Sequence, residues 1–358
     1  MNDDCLKLTT YFGERDRVDG RFLADAMLDL YGRHNIETSI LLRGAEGFGL
    51  KHHLHTDRLL TLSEDLPVVS VAVDTRERIE AVLPDVEALK RPGLVTLERA
   101  RLLSSPLGPV ELPEELHEAT KLTLYVGRQE QASGVPVHEA VCDLLHRRSL
   151  AGASVLLGVD GTVRGERERA QFFGRNARVP MMIIAVGSGA SIARVLPELD
   201  DLLAEPLATI ERVRVCKRDG ELLARPHALP GSDEHGLALW QKLMVYTSEH
   251  AKHGRHPIHA ELVRRLRQTG AGGATVLRGI WGFHGDHAPH GDRLLQLRRR
   301  VPVVTIIVDT PERILQSFEI VDELTRERGL VTSEMVPARA AAIGAERRGG
   351  LRLARHRF

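Results

Sequence analysis

The chain has 358 residues, enough for two or three domains, with 49 basic and 49 acidic side chains and 42% hydrophobic residues. A formal charge of zero gives no basic excess for nucleic acid. The longest apolar runs, VPMMIIAVG and VPVVTIIVDT, fall far short of the roughly 18–20 residues a spanning helix needs.

The start, MNDDCLKLTT, shows no basic region followed by an apolar stretch, and Cys5, Cys142 and Cys216 form neither a zinc set nor a disulfide framework. Both features suit a reducing cytoplasm. The first predicted element, KLTTYF, alternates and is rich in β-favouring residues. A helix follows with Leu23, Met27 and Tyr31 on one face. Next come a second strand, the long stretch RGAEGFGLKHHLHTDRLL at 43–60, and the apolar strand LPVVSVAVD. A helix carrying Ile79, Leu83 and Val86 then leads to a closing strand, GLVTLERARLL.

The same series then recurs twice. KLTLYVG and KLMVYTS align with the first strand on Tyr11, Tyr125 and Tyr246. Thirty-three residues past each tyrosine lies a glycine (Gly44, Gly158, Gly279), and three further on another (Gly47, Gly161, Gly282). The first helices repeat as Val137, Val141, Leu145 and as Ile258, Leu262, Leu266; the second as Ile192, Leu196, Leu199 and as Ile314, Phe318, Val321. Pro136 and Pro257 are expected in a first helical turn, where a missing N–H is tolerated. The chain is therefore read as three modules, 5–103, 119–218 and 240–339, joined by Pro/Gly-rich linkers and ending in a basic tail, 340–358, expected to be disordered.

The order βαββαβ is that of an α+β, ferredoxin-like module with two helices on one sheet face. The third strands PVVSVAVD, PMMIIAVG and PVVTIIVD are nearly continuous apolar runs, whereas a sheet with one wet face alternates. The second face must therefore be covered, and the sheets of the other two copies are the natural cover. This predicts a monomeric pseudo-trimer with three similar but unequal clefts.

Residues RG-[AI]-x-GF, the downstream DRLL, the LPVV strand with VDT-x-ERI and the closing GLVT carry a resemblance. Each module resembles the PII-like family catalogued as domain of unknown function 190. The resemblance implies a ferredoxin-like unit that trimerises with sheets inward, a long effector loop after the second strand, and adenine nucleotides bound between neighbouring units. It also implies a regulatory protein, with a membrane transporter or channel as a candidate partner. The PII phosphate turn is not matched: the corresponding segments read RPGLVT, EPLATI and RGLVT, and the effector loops hold no tyrosine.

Module 2 keeps both glycines of the long stretch but loses the arginine, the phenylalanine, the histidine pair and the DRLL ending together. Joint loss points to a ligand contact released in one copy, as drift in a redundant copy also would. For a small anionic ligand, Arg43 and Arg278 would hold phosphate. Gly44, Gly47, Gly279 and Gly282 would supply N–H donors, and Phe48 and Phe283 a stacking face. Asp74, Thr75, Asp309 and Thr310 complete the candidate set. The plainer alternatives are a positive-φ turn for the glycines, salt bridges to glutamate for the arginines, packing for the phenylalanines, and N-capping for the Asp-Thr pairs. A rival set, His52, His55 and Asp57 with His287, His290 and Asp292, has donors suited to a first-row divalent metal. A ligand-free scaffold is the third possibility. No nucleophile elbow, P-loop or CxxC appears, so no enzyme is expected, a metal-assisted hydrolase built on His and Asp being the alternative.

Overall fold

The computed structural model describes residues 2–49, 54–56, 65–89, 93–104, 107, 112, 119–163, 166–167, 179–285, 289–291, 301–343 and 346–355. Each module builds an antiparallel sheet in which the first strand lies between the third and the fourth, with the second strand beyond the third. In module 1, Asn2–Gly13 pairs with Pro67–Thr75 on one side and Gly93–Ser104 on the other, and Thr38–Phe48 pairs with Pro67–Thr75. Modules 2 and 3 repeat this around Thr120–Gly127 and Trp240–Ser248. The sheets run into one another as a single curled antiparallel sheet.

Helices α1 (Leu23–Arg33), α2 (Arg76–Ala88), α3 (Val137–Arg147), α4 (Gly189–Leu202), α5 (Ile258–Gln268) and α6 (Pro311–Leu324) bury the apolar faces read from the spacing. Each module thus has a helix-side core, such as Leu8, Met27, Tyr31, Ile79 and Leu97 in module 1. A fourth core joins all three copies through Val71, Val73, Ile184, Val186, Ile306 and Val308. The third strands are buried on both faces, which is why their sequences do not alternate.

Two cyclic strand exchanges close the ring. Past its second strand, each module lays an extension on a neighbour's second strand: Gly44–Phe48 on Ala274–Leu277, Asp160–Val163 on Thr38–Leu41, and Trp281–His284 on Gly152–Val155. The giving order is 1 to 3, 3 to 2, 2 to 1. The closing strands run the other way, with Arg101–Ser104 on Leu207–Ile210, Arg214–Arg218 on Leu330–Ser333, and Ala338–Ala342 on Gly93–Leu97. Every pair of modules is therefore stitched twice.

At the centre lies a closed circuit of charge. Lys7 bridges Glu98 (2.9 Å) and Glu211; Lys121 bridges Glu211 (3.0 Å) and Glu334 (2.5 Å); Lys242 bridges Glu334 (3.0 Å) and Glu98 (2.5 Å). All six side chains are buried. Burial pushes the Glu98 and Glu334 carboxyls up, but the three ammonium groups outweigh it and hold both below the usual carboxylate range. Each lysine comes from a first strand and each glutamate from a closing strand, so the circuit forms only when all three copies are in place. Such buried pairs add little net stability against a hydrophobic substitute, but removing one partner is costly.

Three expectations are corrected. Pro136 and Pro257 occupy the N-cap, one residue before the helix, not its first turn. Gly44, Gly47, Gly161 and Gly282 lie in strands rather than in a loop turn. The tail is not outside the fold: Ala338–Ile343 and Glu346–Gly350 form an antiparallel pair, Ala354 is buried, and the Arg355 N–H donates to Asp233 Oδ2 at 2.8 Å.

Candidate functional site

The glycine pair is explained by what lies across each inter-module seam. A Cβ on Gly47 would sit 2.6 Å from the Ala274 carbonyl oxygen, on Gly161 2.3 Å from that of Ser39, and on Gly282 2.3 Å from that of Ala153. Gly44 and Gly279 are equally confined, by Pro67 and Val276 and by Pro302 and Val155. Only Gly282 of the four predicted glycines has a φ in the glycine-favouring range, at +154°. Close approach of a neighbour's backbone demands the glycines, and module 2 keeps them for that reason. Their role as anion donors finds no opening at Gly279, whose N–H donates to the Pro302 carbonyl at 2.7 Å.

The other predicted residues fall into place one by one. Arg43 pairs with Glu14 at 2.9 Å and Arg278 with Glu249 at 3.0 Å, equivalent positions in modules 1 and 3. Thr75 and Thr310 cap α2 and α6 by accepting the N–H groups of Arg78 and Arg313; Ser188 does the same for α4. Asp74 accepts from the N–H groups of Glu37 (2.8 Å) and Thr75 (2.6 Å), and Asp309 from those of Gly272 (2.7 Å) and Thr310 (2.8 Å). Of the metal set, His52, Asp57, His287 and Asp292 lie outside the described residues. His55 is placed only as a strand residue opposite Gly47, and His290 stands opposite Gly282, half-buried. Among the described residues the one cluster of three potential ligands is Glu98, Glu211 and Glu334, and the lysines of the central circuit already neutralise it.

Phe48 and Phe283 lead to the clefts. Between modules 1 and 3 lies a cavity of about 370 Å³. Module 1 contributes Tyr11, Gly13, Asp16, Phe48 and Asp65, and module 3 contributes Gly272–Thr275. Asp16 Oδ2 accepts the Gly13 N–H at 2.8 Å and Asp65 Oδ1 the Arg15 N–H at 2.7 Å, so both carboxylates are held by backbone at the rim. Behind Gly272 stands Arg339. Its Nη2 lies 3.4 Å from where a Gly272 Cβ would be, and its guanidinium stacks over Trp240 at 4.4 Å. Arg339 is buried, its Nε has no hydrogen-bond partner, and among the described residues no carboxylate forms an ion pair with it. Burial depresses its basicity against the opposing pull of Asp309.

The equivalent place between modules 3 and 2, lined by Tyr246, Phe283, Pro302, Gly152 and Ala153, holds only about 10 Å³. Between modules 2 and 1, Thr162 stands where the others have phenylalanine. Its Oγ1 lies 2.8 Å from Ser39 Oγ, and its carbonyl accepts from Thr38 Oγ1 at 3.2 Å. Asp16, Asp65, Gly272 and Arg339 were not foreseen from sequence. Their proximity depends on which module faces which, and the one available signal was the Gly-Gly pair at 272–273.

The fold and its clefts define a tandem triplicate of one α/β unit that places potential binding space between copies. The chain belongs to the family of domain of unknown function 190 (DUF190, described as an uncharacterized ACR), which it matches three times, over residues 5–102, 119–215 and 240–338. It is similar to a UPF0166 protein of Aquifex aeolicus, 34% identical over 94 residues, which are 26% of this chain and 88% of that protein. A second UPF0166 protein, from Methanocaldococcus jannaschii, is 30% identical over 91 residues, 25% of this chain and 83% of the relative. Each relative thus corresponds to one module. Among the described residues, no helix is long and apolar enough to cross a membrane.

Proposed function

We propose that the protein is a PII-like regulatory module, three ferredoxin-like units closed into an intramolecular pseudo-trimer that binds a small anionic effector between modules 1 and 3. The observation that carries this reading is the buried Arg339, whose Nε has no hydrogen-bond partner, standing behind Gly272 in the wall of a 370 Å³ cavity, while the equivalent space between modules 3 and 2 is about 10 Å³. An adenine nucleotide is the effector class, with the base against the apolar wall of Phe48 and Tyr11 and the anionic end toward Arg339. Arg43 and Arg278, engaged by Glu14 and Glu249, are not its phosphate ligands. Phe48 and Gly49 belong to the long stretch of module 1, so occupancy would be relayed to that segment and from it to a partner protein, with a membrane transporter or channel as the candidate.

The test is thermal unfolding of metal-free protein with AMP, ADP, ATP, cyclic dinucleotides and, separately, divalent metals. A ligand at 100 times its dissociation constant adds about 2.7 kcal/mol to the native state. Gly49→Trp, whose Cβ meets no atom within 4 Å, should fill the cavity and abolish the nucleotide shift, as should Arg339→Met. A nucleotide shift that survives both substitutions would remove the effector from this cleft. A shift with metals alone would move the assignment to the histidine sets.

A further inference from the structure

The seam between modules 2 and 3 carries a different opening, on the helix side. It is a cleft of about 330 Å³ lined by Arg128, His138 and Glu139, by Leu157 and Met181, and by Ile280 and Trp281. None of these residues lines the cavity between modules 1 and 3.

Its origin is visible in the repeat. Three residues past the aligned tyrosines stand Glu14, Arg128 and Glu249, and one residue before the first glycines stand Arg43, Leu157 and Arg278. In modules 1 and 3 these two positions form an ion pair, Glu14 with Arg43 and Glu249 with Arg278. In module 2 the acid has become an arginine and the arginine a leucine, and both replacements line the cleft. The Arg128 side chain has no hydrogen bond or ion pair among the described residues. The carboxylate present at that place in the other two copies is missing here.

The remaining walls specify the rest. Trp281 takes the position held by Glu46 and Asp160 in the other copies, and the imidazole of His138 meets its indole edge-on, centroids 6.3 Å apart. His138 Nδ1 is buried without a hydrogen-bond partner, and burial lowers the basicity of the ring. A neutral imidazole offers one hydrogen bond, as donor or acceptor according to its tautomer. Leu157, Met181 and Ile280 form an apolar floor. Glu139 at the same cleft opposes multiply charged anions.

We propose that this cleft is a second ligand site, for a small monoanionic carboxylate with a planar apolar body. Its head group replaces the missing acid at Arg128 and its body lies between Trp281 and the apolar floor. The site is independent of the nucleotide reading above.

The two tryptophans are Trp240 and Trp281, so a Trp240→Phe background leaves Trp281 as the sole reporter. Titration with phenylacetate should change Trp281 emission saturably. Benzyl alcohol, the same ring without charge, and phenyl phosphate, a dianion, should bind at least about tenfold more weakly, about 1.4 kcal/mol. Arg128 is exposed, so Arg128→Gln should fold normally and weaken phenylacetate by at least the same factor. The double exchange Arg128→Glu with Leu157→Arg rebuilds the ion pair of the other modules and should abolish binding while the melting temperature holds. A phenylacetate response matched by benzyl alcohol, unchanged by Arg128→Gln, or absent from the folded parent would overturn the assignment.

Discussion

The stretch after the second strand does opposite work in modules 1 and 2. In module 1, Gly44–Phe48 crosses onto module 3 and leaves the 370 Å³ cavity beside Phe48. In module 2, Asp160–Val163 crosses onto module 1 in the same way, but Thr162 stands in the place of the phenylalanine, tied to Thr38 and Ser39. Arg167 then reaches further, to Asp25 of α1 at 2.8 Å, to Asp29 of α1 and to its own module's Asp160 at 2.6 Å. Module 2 has therefore exchanged the side chains of an opening for those of a clasp. The glycines common to both serve the crossing, and what differs between them decides whether the crossing leaves room.

The largest expected effect tests what the two regions share. Lys7→Met, Lys121→Met and Lys242→Met each leave the buried circuit one positive charge short and should cost about 3–5 kcal/mol, nearly alike, in urea unfolding. A clear inequality would show that the centre is as asymmetric as the loops. The circuit also sets the acid limit. Because Glu98 and Glu334 are depressed when folded, their stabilisation is present above the unfolded value of about 4.3 and fades as pH falls. The acid limb of a stability–pH curve should flatten in Glu98→Gln.

Next come the crossings themselves. Gly161→Ala and Gly47→Ala each force a carbonyl away and should destabilise by about 1–3 kcal/mol. Hydrogen exchange should rise at 38–41 in the first variant and at 274–277 in the second. Arg167→Met breaks only the clasp. It should cost about 2 kcal/mol, as loss of charged hydrogen bonds does, and open the seam between modules 2 and 1 while exchange at 281–284 stays unchanged. The smallest effect is at the caps, where Thr75→Ala and Ser188→Ala should each cost about 1 kcal/mol by thermal unfolding. Equality there would show that module 2 kept its cap after Asp74's counterpart became Gly187.

Most of the module was legible, because local periodicity fixes it. The helix faces at Leu23, Met27 and Tyr31 are buried, and the unbroken apolar third strands announced a second covered face. The central circuit is marked in the sequence as well: Lys7, Lys121 and Lys242 stand four residues before the aligned tyrosines, and Glu98, Glu211 and Glu334 recur in three closing strands. A charge repeated at one strand position in every copy is a sign of a shared interior partner. The clefts were harder. Gly272 reaches the cleft of Phe48, and Arg339 its place behind Gly272, through pairings more than 200 residues apart in sequence, and no window of local pattern contains them. The paired glycines are points of contact with a neighbour's backbone, neither turn formers nor open donors, a distinction that depends on that neighbour and not on the glycine's own flanks.

The two strand exchanges run in opposite senses and already lock every module to both neighbours, so the linkers add little to holding the ring. What covalent joining secures is composition. Three unlinked copies drawn from a common pool would assemble in other combinations too, and some rings would lack the junction of modules 1 and 3 that holds the 370 Å³ cavity. Written as one chain, each molecule receives one junction of every kind in a fixed cyclic order. Each copy is then free to change its loop without its neighbours having to accept the same change.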